Sequence, residues 1–61
     1  MSMMITIISP KGQTIHTDTC PEIQRIIESE GVPWFEALQK PVNVSEKAFN
    51  EIDSLISRHP S

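Results

Sequence analysis

The turn Ser9-Pro10-Lys11-Gly12 stands between two short runs rich in β-branched residues and constrains this chain more than any other feature. Serine suits the first position of a type I turn, proline presets φ at the second, and glycine takes a left-handed conformation at the fourth. Such a turn followed by a glycine bulge closes a hairpin through a three-residue loop. Strands are therefore expected over residues 4–8 and 13–17. Their register sets Ile8 opposite Thr14, Ile7 opposite Ile15, Thr6 opposite His16 and Ile5 opposite Thr17. Because side chains alternate, Ile5, Ile7 and Ile15 share one face, with Thr6, Ile8, Thr14 and His16 on the other. The isoleucine face needs a cover.

Helical periodicity supplies it. Over residues 45–58, Ala48, Phe49, Ile52, Leu55 and Ile56 recur at spacings of three and four and make one apolar stripe. Asn43 or Ser45 caps this helix, Asn43 and Glu46 having capping-box spacing, while Arg58 and His59 suit its C-terminus and Pro60 ends it. A second helix is expected over residues 20–30. Thr19 and Glu22 have capping-box spacing, Pro21 fits the first turn, and Ile23, Ile26 and Ile27 form the buried stripe. Gly31 is the expected C′ residue, with Val32 closing the hydrophobic contact. Residues 33–39 read as a short helix with Pro33 at N1, Trp34 stacked on Leu38, and Pro41 as the stop. The alternative is a second hairpin over residues 34–44 in place of that middle helix. The fold class is α+β, a single small domain in which an N-terminal hairpin packs against two or three helices.

A chain of 61 residues buries only about 60 % of the surface its unfolded form exposes, so its stability margin is thin. Small folds usually rely on disulfides, a structural metal or a partner subunit. With Cys20 the only cysteine, neither an internal disulfide nor a full zinc ligand set is available. A partner chain is then expected, homodimerisation being the simplest case. The single cysteine, the lack of a secretory leader and the short apolar runs point to a cytoplasmic protein with no membrane segment. Five basic against eight acidic residues give a net charge of −3, with no basic patch. That counts against nucleic acid, whose phosphates supply most of the affinity.

Few residues are candidates for chemistry. Cys20, at a helix start, is a candidate reactive thiol, although cysteine is more often a small buried hydrophobe. His16, Asp18 and Cys20 alternate as H-x-D-x-C, but a fourth metal ligand is missing and no metal or cofactor is expected. No paired carboxylates, phosphate loop or Ser-His-Asp set occurs, so enzyme activity is not expected. Protein binding is the better reading. Trp34 and Phe35 are adjacent on the middle helix and diverge by about 100°, so one is buried and the other partly exposed, and an exposed Trp34 is the expected anchor for a partner. Leu38, together with Met4, Ile8 and His16 on the outer hairpin face, completes the set of contact candidates.

Residues Ile26-Ile27-Glu28-Ser29-Glu30-Gly31-Val32-Pro33-Trp34, followed by Pro41-Val42-Asn43-Val44-Ser45, resemble small phage excisionase-type winged-helix proteins. That resemblance implies a DNA-binding accessory factor whose recognition helix precedes a β-wing. The chain departs from it in having only Arg25 on that helix, against Glu22, Glu28 and Glu30. Phe35-Glu36-Ala37-Leu38-Gln39-Lys40-Pro41, with Leu55-Ile56-Ser57-Arg58-His59-Pro60, is similar to the toxin-neutralising tail of some bacterial antitoxins, without their DNA-binding half. Both resemblances imply a regulatory protein of prokaryotic or phage origin.

Overall fold

The computed structural model describes residues 3–58. Strands β1 (Met4–Ile8) and β2 (Thr14–Asp18) are followed by helices α1 (Pro21–Ser29) and α2 (Trp34–Ala37), strand β3 (Val42–Asn43) and helix α3 (Glu46–Arg58). The class is α+β, as expected, with the helices packed on a sheet of order β2-β1-β3. The expected ends of α3 at His59 and Pro60 lie outside the described residues.

The hairpin register is the one the turn implies: Ile5 faces Thr17, Thr6 faces His16, Ile7 faces Ile15 and Ile8 faces Thr14. Ser9 is the hub of the turn and is buried. Its Oγ accepts the N–H groups of Lys11 (3.2 Å) and Gln13 (3.1 Å). Its carbonyl accepts Gly12 N–H at 3.0 Å, and its own N–H donates to Gln13 O at 2.9 Å. Gly12 has φ +87°, the left-handed conformation that a side chain resists.

The hairpin is not alone, which corrects the expected two-stranded sheet. Residues 34–44 do not make a second hairpin. They form α2, one turn shorter than the expected helix, and then β3, which pairs in parallel with β1 (Ile7 with Val42, Ile8 with Asn43). Parallel pairing needs a crossover, and α1 and α2 provide it. Val42 and Val44 are buried while Asn43 is exposed, an alternation of period two. Val42 and Val44 turn their main-chain groups to β1, so Pro41, one residue earlier, places its missing N–H on the outer flank of β3, where proline is tolerated.

Both long helices bury the stripes read from the sequence: Ile23 and Ile27 on α1, and Ala48, Phe49 and Ile52 on α3. They join Ile5, Ile7, Ala37, Val42 and Val44 in one core, with Ile15, Ile26, Trp34, Leu38, Leu55 and Ile56 packed around it. The caps depart in part from expectation. Thr19 does not cap α1; its N–H donates to Met3 O at 3.1 Å as a further rung of the hairpin, and Cys20 becomes an N-cap with no side-chain bond. Pro33 is likewise an N-cap rather than N1. At the far end of α1, Gly31 N–H reaches Glu28 O at 3.0 Å and Val32 N–H reaches Ile27 O at 3.4 Å, the paired bonds of a Schellman motif. Ser45, not Asn43, caps α3 by accepting Ala48 N–H at 3.2 Å. The Ser45 N–H donates in turn to the Glu30 carboxylate at 2.7 Å.

Ser9→Ala deletes the acceptor that holds two backbone N–H groups in the turn. The expected cost is about 1–2 kcal/mol, read as a lower urea midpoint at unchanged slope. Lys11→Ala, which breaks only the exposed Lys11–Glu46 pair at 3.6 Å, should stay within about 0.5 kcal/mol of the parent.

Candidate functional site

Alternation along β1 divides the binding candidates between two surfaces. Met4, Thr6 and Ile8 lie on the outer face of the sheet with Thr14, His16 and Asp18 of β2 opposite them. Within this face Thr6 Oγ1 and His16 Nδ1 are hydrogen-bonded at 2.9 Å. Ile8 is half-buried there, and its carbonyl accepts Val44 N–H at 3.0 Å. His16 is exposed, so its ring is a polar edge group rather than part of a buried constellation.

The second surface lies on the flank of β1 that β3 leaves open. Since β3 is in register only with Ile7 and Ile8, it is residues 37–41 and not a strand that lie beside residues 4–6 on that side. A depression runs there, lined by Met4, Ile5, Thr6, Leu38, Lys40 and Pro41 among others. Met4 is 45 % exposed and Leu38 is half-buried, so the depression has an apolar lip. Phe35 extends it: residues three apart on a helix are surface neighbours, which sets Phe35 beside Leu38. Lys40 is among its lining residues and pairs with Glu36 at 3.7 Å.

Trp34 and Phe35 diverge as their helical spacing requires, and the structure decides which is which. Ala37 is buried and Trp34 and Leu38 are half-buried against the core, so that arc of α2 faces inward. Phe35 lies outside it at 68 % exposure. Trp34 is therefore a packing residue first, which corrects its reading as the exposed anchor. Phe35 is the one of the pair left to solvent.

The remaining candidates do not converge. Cys20 is half-buried beside Thr17, Ile23, Leu55 and Ile56 in a separate depression that His16 does not line. Among the described residues no three His, Cys, Asp or Glu side chains gather as a metal site requires, and H-x-D-x-C is split between the outer sheet face and the start of α1. No buried side-chain nitrogen or oxygen among them lacks a hydrogen bond. On α1, Arg25 is the one basic residue beside acidic Glu22 and Glu28. The wing implied by the excisionase resemblance is replaced by α2 and β3. Among the described residues no helix is long and apolar enough to cross a membrane.

No protein-family model, curated protein or solved structure matches the chain.

Truncating the two adjacent aromatics should separate packing from surface. Trp34→Ala is expected to cost about 1–3 kcal/mol, because a half-buried indole leaves a void. Phe35→Ala should change stability by less than about 0.5 kcal/mol. Paired urea titrations decide the assignment, and a larger loss for Phe35→Ala than for Trp34→Ala would reverse it.

Proposed function

We propose that the protein is a small non-catalytic regulatory or adaptor protein that holds an extended segment of another protein along the Phe35, Leu38 and Met4 strip. The observation that carries this reading is the exposure of Phe35, three residues from Leu38, which lines a depression between residues 4–6 of β1 and residues 37–41. An aromatic side chain free of the core costs little to immobilise and buries a large area on contact. On that flank the main chain of Met4 and the Thr6 N–H offer polar groups for strand addition, Ile5 being paired with Thr17 and the Thr6 carbonyl with Val42, while the depression takes one apolar side chain of the guest. Lys40 in its lining favours a segment with an acidic group nearby.

The strip coincides with the stretch similar to toxin-neutralising antitoxin tails, so a protein to be restrained is a partner of the right kind. A single cysteine with no disulfide partner in the chain suits a cytoplasmic setting. The net charge of −3 makes protein a better partner than nucleic acid.

The test is capture from host extract on immobilised protein, with Phe35→Glu and Met4→Glu run beside the unaltered chain. A partner held by the parent should be retained about tenfold less or worse by Phe35→Glu, as expected for a buried aromatic anchor. Equal retention by both variants removes this strip from consideration. A shift of nonspecific duplex DNA at low salt that vanishes as salt rises would favour the accessory DNA-binding reading instead.

A further inference from the structure

The two flanks of the sheet are finished differently. On the β3 side the ladder is short, and beside it stand Pro41, whose missing N–H falls on the outer flank, and Lys40, both common devices for blunting an edge. On the β2 side a five-residue strand runs open along its whole length. It contains no proline and no lysine, and its one formally charged residue, Asp18, lies at the end. An open edge of this kind is a template for another strand.

Its polar groups can be assigned. The rungs Ser9–Gln13 and Met3–Thr19 are hydrogen-bonded pairs. With the register between them, antiparallel alternation makes Ile7–Ile15 and Ile5–Thr17 bonded pairs too. The main-chain groups of Thr14, His16 and Asp18 consequently point away from β1, to the open side. The Asp18 carbonyl there accepts the Thr17 hydroxyl at 3.2 Å and retains a second lone pair.

We propose that a second copy of this chain docks on this edge, β2 against β2 in antiparallel fashion, about a two-fold axis at His16. Turning the strand about that axis brings His16 opposite the partner's His16, and Thr14 opposite the partner's Asp18. Each outward N–H then meets an outward carbonyl, so the edge is its own complement. The two Asp18 carboxylates fall at opposite ends, each across from a threonine hydroxyl that can donate to it. A parallel pairing would stack like charges instead. Alternation also holds across the junction, setting Ile15 beside the partner's Thr17 on the helix-covered face.

A second feature lies against the same edge. Thr17, Cys20, Ile23, Leu55 and Ile56 line an open cleft where α1 and α3 cover the sheet incompletely. Leu55 and Ile56 are only half-buried. A five-residue ladder alone buries little area for a stable dimer, and the apolar rims of the two clefts, brought together by the two-fold, supply more. The result is one continuous sheet with β3 strands at both ends and all helices on one side. This interface is separate from the Phe35 strip, so either can fail without the other.

The test is sedimentation of the unaltered chain from low to high micromolar concentration, with residue-resolved amide exchange over the same range. The expected result is a doubling of mass, accompanied by rising protection of the Thr14, His16 and Asp18 amides. A monomer throughout overturns the proposal, as does a dimer in which those three amides exchange as in dilute solution. His16→Pro removes one outward N–H, and the side-chain bond to Thr6 with it, while leaving the main-chain bonds to β1 untouched. It is expected to keep the parent circular dichroism and sediment as a monomer, and a His16→Pro dimer overturns the assignment of the edge. Should that variant not fold, the exchange measurement on the unaltered chain decides by itself.

Discussion

Because β1 lies between β2 and β3, its inward Ile5 and Ile7 are where every other element meets. Both are essentially sealed from solvent, as are Ile27 of α1 and Ile52 of α3. In so short a chain there is no second core to fall back on. The hairpin turn, the crossover through α1 and α2 and the cap of α3 all bring side chains onto that one face. The opposite face of the sheet is left bare, and its residues are mostly threonine and polar groups with Met4 and Ile8 among them.

Several joints are held by main-chain hydrogen bonds instead of apolar contact. Ser45 shows the division most clearly. Its hydroxyl satisfies the Ala48 N–H, the local half of a capping box. The other half, a carboxylate on the cap residue's own N–H, would ordinarily come from the residue that is Ala48 here. Glu30, at the end of α1, supplies it from elsewhere in the chain. One charge-assisted bond thereby ties the start of α3 to the end of α1, fixing where the two longest helices begin and end relative to each other.

A one-sided sheet of this kind has two flanks, and the protein treats them unequally. Beside β3 the backbone is blunted by proline, and the exposed phenylalanine stands on α2, three residues from Leu38 in the depression between β1 and residues 37–41. Beside β2 the backbone is open and self-complementary, with an apolar cleft against it. The first flank presents an exposed aromatic side chain and the second an open main-chain edge. These are different modes of recognition, and a small protein can use both at once because they occupy opposite ends of the sheet.

What the residues determined alone was everything that depends on near neighbours. The Ser9-Pro10-Lys11-Gly12 turn set the strand register, Gly31 ended α1 and the apolar stripes of α1 and α3 found the core, since turn chemistry and helical spacing act within a few residues. Tertiary structure decided the rest. Val42 and Asn43 were legible only as part of the second-hairpin alternative over residues 34–44, and no local signal names β1 as their partner, because pairing across more than thirty residues is settled by which edge the helices leave open. Thr19 had the spacing of a cap and was drawn into the hairpin instead, its single N–H serving Met3. Trp34 and Phe35 were equivalent as letters, and only the docking of α2 on the core turned one inward and the other to solvent.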